Sequence, residues 1–265
     1  MPKHMSDYET IKFELTGRVV TITLNRPDAA NGLNAKMASE LAHSAGQCKS
    51  DPNIRAVILT ANGRFFCAGG DIKEMASHGE NVGIEIKSLA DDLHVAISQF
   101  ARMDAPLIIA ANGMAAGAGF SLAVSGDLVL ASEKAGFMMA YTNAGLSPDG
   151  SSSYFLPRLI GLRRTQELML TNRKLSADEA QDWGLINEVV PADELLNRAM
   201  ELAERLATGA LKSHAAIKKL LLLSHENSLE NQMELEGKFI SGCAVSPDGR
   251  EGISAFTQKQ KPDFQ

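Results

Sequence analysis

The sequence predicts an α/β fold built around a partly parallel sheet, and three observations carry that prediction. Short apolar runs at 54–60, 107–111 and 128–131 read as strands of the kind covered on both faces. Helical periodicities separate them in a β-α-β-α-β rhythm with short links, from which right-handed crossovers follow. Twice, moreover, an apolar run empties into a glycine-rich turn that opens a helix, the two turns lying about fifty residues apart.

Residues 10–15 and 19–24 place β-formers on either side of Gly17-Arg18 and read as a hairpin, which Asn25-Arg26-Pro27 ends. Asn34 is an N-cap, and Met37, Leu41, Ala45 and Cys48 recur at helical spacing until Asp51-Pro52 stops the helix. The strand at 54–60 runs through Ala61-Asn62-Gly63 to Cys67-Ala68-Gly69-Gly70-Asp71, where a helix starts over 71–75; a longer one spans 82–102. The strand at 107–111 runs through Asn112-Gly113-Met114-Ala115 to Ala116-Gly117-Ala118-Gly119 and a small-residue helix near 117–125. Residues 140–153 form a polar, turn-rich loop, long for a compact domain, and long ordered loops are disproportionately functional. Ser176 with Glu179 is a capping-box pattern, and 187–190 is a short strand before Pro191. Leu195, Leu196, Ala199, Leu202, Ala203 and Leu206 make an apolar helical stripe, and further helices span 209–223, 228–241 and 248–258. The Leu220-Leu221-Leu222-Leu223 run is too hydrophobic for a free surface, which points to packing on a second subunit.

With 265 residues the chain can bury a full core, as one large domain or one domain with an appendage. Hydrophobic residues at 45% and aromatic residues at only 5% leave that core to alanine and leucine. Cys48, Cys67 and Cys243 form no C-x-x-C pair and stand near no histidine array, so neither disulfides nor a metal site is expected. The first ten residues are polar and no run of about 18 apolar residues occurs, so neither a secretory signal nor a membrane span is expected. A cytoplasmic location follows as an expectation. A net charge of -6 argues against nucleic acid as a partner. It leaves room for a small anionic ligand, for which Arg64, Lys73, Lys238 and Lys259 are candidate local cations.

The two turns carry the chemistry. Small residues let a backbone approach a ligand, and the first N–H groups of a helix have no partner inside it. Two such donors aimed at one oxygen make an oxyanion hole. A dinucleotide fingerprint is a poor match, because Leu122 stands at the last glycine position of the pattern begun by Gly117 and Gly119. No G-K-[ST] follows either turn and no G-x-S-x-G occurs, which removes a P-loop and the marker of serine hydrolysis. Tight connections alone account for Gly63 and Gly113, and account less well for Gly69-Gly70 and Gly117-Ala118-Gly119. Asp149, inside Gly145-Leu146-Ser147-Pro148-Asp149-Gly150, reads equally as the cap of a helix starting at Ser151-Ser152-Ser153-Tyr154 and as an acid/base group.

Taken in order, Asn25-Arg26-Pro27, the stretch from Phe66 to Met75, the stretch from Asn112 to Gly119 and Gly145 to Gly150 resemble the enoyl-CoA hydratase/isomerase (crotonase) superfamily. The resemblance continues through Leu175 to Ala180, Trp183-Gly184-Leu185-Ile186 and Arg250 to Phe256, and so covers nearly the whole chain. It implies a crotonase spiral of ββα units over 1–194 and a helical C-terminal trimerisation region over 195–265. It also implies an acyl-CoA thioester as ligand, coenzyme A being part of the substrate with no other cofactor, and a homotrimer or dimer of trimers. Carried over residue by residue, the two oxyanion-hole amides fall on Gly70 and Ala118. Ala68, Gly69, Gly70, Asp71, Ile72 and Lys73 resemble the stretch that contacts the CoA, and Phe256 with Lys259 lies where the C-terminal helix helps hold the nucleotide. Asp28-Ala29 stands where relatives are often basic, which removes one phosphate contact.

The departures decide the reaction. Hydratases of the superfamily carry two catalytic glutamates; these positions hold Ser121 and Tyr141, whose pKa values lie far from neutrality. Asp149 instead matches the acidic base of several isomerases, and its surroundings are similar to Δ3,Δ2-enoyl-CoA isomerases and to the ring-epoxide isomerase of phenylacetyl-CoA breakdown. The resemblance therefore implies a shift of a double bond from 3-enoyl-CoA to 2-enoyl-CoA through a thioester enolate, with Asp149 moving the proton. Epoxide isomerisation, hydration or lysis, and acyl-CoA binding without turnover are the alternatives. A 4-chlorobenzoyl-CoA dehalogenase also uses an aspartate here, with histidine and tryptophan partners; in this chain Trp183 reads as structural and His94 as a surface residue. An exposed aspartate is a weak base, so an apolar lining is expected, with Phe137, Met138, Met139 and Leu146 as its candidates.

Overall fold

The computed structural model describes residues 8–264; the polar segment at 1–7 lies outside the described residues. Strands β1 (Ile11–Thr16) and β2 (Val19–Leu24) pair antiparallel about Gly17, whose φ of +60° suits a residue without a side chain. Helix α1 (Ala35–Ser50) is capped by Asn34, whose side chain accepts from the Met37 N–H at 3.0 Å, and it ends at Asp51. The chain then winds through three turns of one pattern, each leaving a longer strand in one sheet and a short strand in another.

The first turn contains β3 (Ala56–Ala61), β4 (Phe65–Cys67) and the helices α2 (Ile72–Ser77) and α3 (Val82–Arg102). The second contains β5 (Leu107–Ala111), β6 (Met114–Ala116) and α4 (Ala118–Ala123). The third contains β7 (Leu128–Ser132), β8 (Gly136–Met138) and α5 (Ser152–Thr171). Then follow β9 (Leu175–Ser176), α6 (Ala177–Asp182), β10 (Glu188–Val190) and the helices α7 (Leu195–Ala207), α8 (Leu211–Leu223), α9 (Leu229–Ala244) and α10 (Pro247–Thr257). One sheet runs β1-β2-β3-β5-β7-β10, parallel from β2 onward; the other runs β4-β6-β8-β9. The repetition of strand, short strand and helix is the crotonase-like α/β spiral.

The second sheet is absent from the sequence reading. Its strands are two or three residues long, too short for a period-2 pattern to register. Between the sheets and α1, α3 and α5 lies the larger core, in which Phe66, Phe100, Phe120 and Phe137 are fully buried. The smaller core lies on the other face of the large sheet, where Leu195, Ala199, Leu202, Ala203 and Ala207 of α7 meet Ile58, Ile108 and Leu130. The expected stripe of α7 is buried at Leu195, Ala199, Leu202 and Ala203, with Leu206 packed against it and Ala207 added; Leu196 departs from it, 49% exposed. Helices α8 to α10 keep large apolar side chains outward, among them Leu221, Leu229, Ile240 and Ile253. Among the described residues no helix is long and apolar enough to cross a membrane, and no cluster of metal-ligating side chains occurs.

Candidate active site

Both glycine-rich turns open onto one cavity of about 570 Å³. At its floor the turns touch each other. A Cβ on Gly69 would lie 3.1 Å from the Ala116 carbonyl oxygen, and one on Gly117 would lie 3.5 Å from the Gly69 Cα. Both residues also have positive φ, +101° and +52°, so Gly69 needs glycine for space and for backbone alike, and Gly117 for its backbone. Other glycines of these turns serve packing: a side chain on Gly113 would collide with the Arg64 carbonyl, and one on Gly119 with the Cys67 carbonyl.

The first turn is sewn to the segment before α1. Ala68 N–H donates to Ala30 O at 3.1 Å, Leu33 N–H to Gly69 O at 2.7 Å, and Asp71 N–H to Leu33 O at 2.8 Å. The Gly70 N–H lies between these bonds and meets no protein acceptor among the described residues; neither does the Ala118 N–H, at the first residue of α4. Both residues line the cavity. Two backbone donors left open in this way can hold one developing oxyanion.

Asp71 faces inward to the protein. Its carboxylate accepts from the Glu74 N–H at 3.2 Å, capping α2, and lies 2.9 Å from the Arg26 guanidinium. Burial alone would raise its pKa, but the Arg26 hydrogen bond and charge and the helix amides hold the carboxyl below its ordinary value. Of the other residues assigned to CoA contact, Ala68, Gly69 and Ile72 line the cavity; Lys73, Phe256 and Lys259 do not. Phe256 is 85% exposed. The cation at the cavity is Lys87 of α3, 2.6 Å from Asp91, whereas Lys238 pairs with Glu234 and Arg64 lies over the Phe65 ring.

Asp149 lines the same cavity, with a side chain 30% exposed. It does not cap α5. The cap is Ser151, which makes no side-chain cap bond, and the Asp149 carboxylate turns instead to the Tyr141 hydroxyl, which donates to Oδ1 at 2.6 Å. Tyr141 lies on a single 3-10 turn over Tyr141–Ala144, and its hydroxyl is also 3.0 Å from the Ser121 Oγ. Burial, then the Asp149 charge, push the Tyr141 hydroxyl far above the ordinary phenol range, so it stays protonated and donates. The positions that resemble the two glutamates therefore carry two hydroxyls that lead to a carboxylate.

His94 is on the surface of α3 as expected, with a side chain 48% exposed, but its place at the cavity was not foreseen. It extends from α3 to the cavity, where its Nε2 accepts from the Gly150 N–H at 3.2 Å and lies 3.6 Å from Asp149 Oδ2, too far for a hydrogen bond. The missed signal was the spacing of Ile86, Ala90 and His94, one face of a helix, all three at the cavity. That face, with Leu89 and with Ile72 and Met75 of α2, supplies the apolar wall expected from elsewhere. Of the residues expected there, only Leu146 takes part; Phe137 and Met139 are fully buried, Phe137 packing on Phe120 at 5.3 Å, and Met138 lies in β8. Trp183 is clasped by Arg164 and Arg173 and does not line the cavity.

The family model described as Enoyl-CoA hydratase/isomerase matches residues 14–265. The chain is 37% identical over 250 residues to the 1,2-epoxyphenylacetyl-CoA isomerase of Escherichia coli (strain K12), covering 93% of this chain and 94% of that protein. It is likewise 37% identical over 257 residues to a probable enoyl-CoA hydratase of Rhodobacter capsulatus, covering 97% and 98%. Among solved structures, an enoyl-CoA hydratase subunit of Geobacillus kaustophilus superposes with a TM-score of 0.90 at 34% identity, over 98% of this chain and 99% of that one. The paired glycine turns, the spiral that brings them together and these likenesses along the whole chain have one explanation: it belongs to the enoyl-CoA hydratase/isomerase family.

Proposed function

We propose that the protein is an acyl-CoA isomerase that moves a double bond from the 3,4 to the 2,3 position of an enoyl-CoA. The observation that carries this reading is a cavity lined by two open backbone donors, Gly70 and Ala118, and by one carboxylate, Asp149, with no second carboxylate among its lining residues. Adding water takes an acid and a base held against the water and the substrate; moving a proton within one substrate takes one group that accepts and returns it. The thioester oxygen sits between the two amides. Asp149 Oδ2 takes the proton from C2, and the C–H electron pair delocalises through C1 onto the thioester oxygen as an enolate. The same carboxyl returns the proton to C4 as the electrons fall back, leaving the double bond between C2 and C3. Nothing is added or lost.

The CoA moiety would run along Ala68 to Lys73, with Phe256 and Lys259 on its nucleotide. No other cofactor enters this reading. The outward apolar side chains of α8 to α10 support assembly as a homotrimer or a dimer of trimers, and a cytoplasmic location accords with an intracellular thioester. Identity to the E. coli 1,2-epoxyphenylacetyl-CoA isomerase favours a second reading, isomerisation of an epoxide-bearing acyl-CoA on the same cavity.

Purified protein incubated separately with a 3-enoyl-CoA, a 2-enoyl-CoA and an aromatic epoxide-CoA, each beside Asp149→Asn, tests the assignment. Conversion of the 3-enoyl substrate is expected, lowered in the variant by about 10²- to 10⁴-fold. Hydration of the 2-enoyl substrate that persists in the variant would overturn it, conversion of the epoxide alone selects the second reading, and CoA affinity without turnover makes the protein a binding module.

A further inference from the structure

We infer that Tyr141, anchored by Ser121, is a positioning residue that fixes Asp149 with Oδ1 engaged and Oδ2 as the one oxygen left to carry the proton. The inference rests on the isomerase reading above and deepens it.

The direction of the hydrogen bonds is determined. A carboxylate only accepts, so the proton between Tyr141 and Asp149 Oδ1, at 2.6 Å, comes from the phenol. With that proton committed, the serine hydroxyl is the donor across the 3.0 Å contact to Tyr141, a shorter reach than the 3.4 Å to the Gly117 carbonyl that competes for the same proton. The order is Ser121 to Tyr141 to Asp149. Ser121 is fully buried in α4, the same short helix whose first residue is Ala118. One rigid turn of backbone therefore presents an oxyanion donor and, through two hydroxyls, sets the rotamer of the base. The backbone beside the base is fixed to the same helix, since a Cβ on Gly150 would lie 2.8 Å from the Ser121 Cβ.

The other groups facing Asp149 do not duplicate this role. His94 of α3 keeps its Nε2 on the Gly150 N–H, 3.6 Å from Oδ2, and Lys87, elsewhere on the cavity wall, is held by Asp91. From α5, Ser152 bonds only the Asp149 backbone carbonyl. Tyr141 is thus the only side chain among the described residues that donates a hydrogen bond to the carboxylate.

The test is a set of variants assayed for kcat and KM in 3-enoyl-CoA isomerisation. Tyr141→Phe keeps the ring and removes the donor; kcat is expected to fall about 10- to 100-fold, because a base no longer held in one rotamer meets C2 less often in the reactive geometry. KM stays unchanged, since the two oxyanion amides are untouched. Ser121→Ala lowers kcat by less, again at unchanged KM, and the double variant is no slower than Tyr141→Phe. A folded Tyr141→Phe with wild-type kcat, or with its loss carried in KM, overturns the inference. If that variant does not fold, Ser121→Ala with wild-type kcat overturns it in turn. Wild-type and Asp149→Asn controls separate the two failures: a wild type without isomerase activity defeats the functional reading, whereas an active wild type with an inactive Asp149→Asn and an indifferent Tyr141→Phe defeats only the role of Tyr141.

Discussion

Arg26, at the end of the first hairpin, reaches across the protein to Asp71, 45 residues later, and holds its carboxylate at 2.9 Å while a second guanidinium nitrogen donates to the Gly32 carbonyl. The pair closes the strap around Gly69 and Gly70. Asp71→Ala removes both this bond and the cap of α2; the cap alone costs about 1 kcal/mol. A lower Tm and a lower kcat are expected together, with Arg26→Ala giving the same pair of effects; a wild-type kcat in both variants would show that the strap does not set the Gly70 amide.

The approach of the two turns sets a second expectation. A methyl on Gly119 meets the Cys67 carbonyl, a backbone atom that cannot rotate away. Gly119→Ala should lose activity and show a lower Tm, because α4 must move off β4 and carry Ala118 with it. Gly17→Ala, where nothing lies within 4 Å of the new carbon, is the control: its cost is the strain of positive φ, about 1 kcal/mol, with kcat unchanged.

Lys218 of α8 is buried and donates to Asp127 Oδ2 at 2.7 Å, Ala105 O at 2.9 Å and Phe100 O at 3.0 Å. Burial lowers the pKa of the lysine and raises that of the aspartate, against their mutual attraction. Lys218→Met leaves Asp127, itself exposed to water, with the Leu107 N–H at 2.7 Å, so the cost is that of a hydrogen bond to a charged group, about 1.5–3 kcal/mol. Urea unfolding should register that loss, and Asp127→Asn, which keeps an acceptor, should lose less.

Acid stability follows from Glu40. It is buried beneath β1 and accepts from the Glu9 and Thr10 N–H groups, both at 2.9 Å, and from the Thr10 hydroxyl. Burial acts to raise its pKa, but these donors and Lys36 outweigh it, so the folded value lies below the ordinary one. The unfolded chain then binds the proton more readily. The contribution to stability is present above the unfolded carboxyl range, about pH 4, and is lost as pH falls through the folded value. Thermal unfolding of Glu40→Gln between neutral and acid pH should show a shallower acid decline than the wild type; an identical decline would refute the assignment.

Thiol chemistry offers a check on packing. Cys48 and Cys67 are buried and their thiols are pushed up to about 12 by that burial. Neither should react with a thiolate-directed reagent in the folded protein, and both should react in denaturant. Labelling of Cys67 without denaturant would mean that the floor of the cavity opens.

The sequence by itself determined the α/β class, the paired glycine turns and the family, because apolar periodicity, capping residues and small-residue turns are local properties that a short segment carries alone. It also named Gly70, Ala118 and Asp149, now found on one cavity. It left the two readings of Asp149 level, since Pro-Asp-Gly before a serine run serves a cap and an active site equally. Only the tertiary structure removed the cap, by giving the carboxylate a phenol 2.6 Å away in place of a helix amide. The second sheet, the apolar wall on α3 and the place of His94 were decided there too. Strands of two or three residues have no pattern of their own, and a histidine on a half-exposed helix becomes a neighbour of Asp149 only when the spiral closes and brings the two residues together.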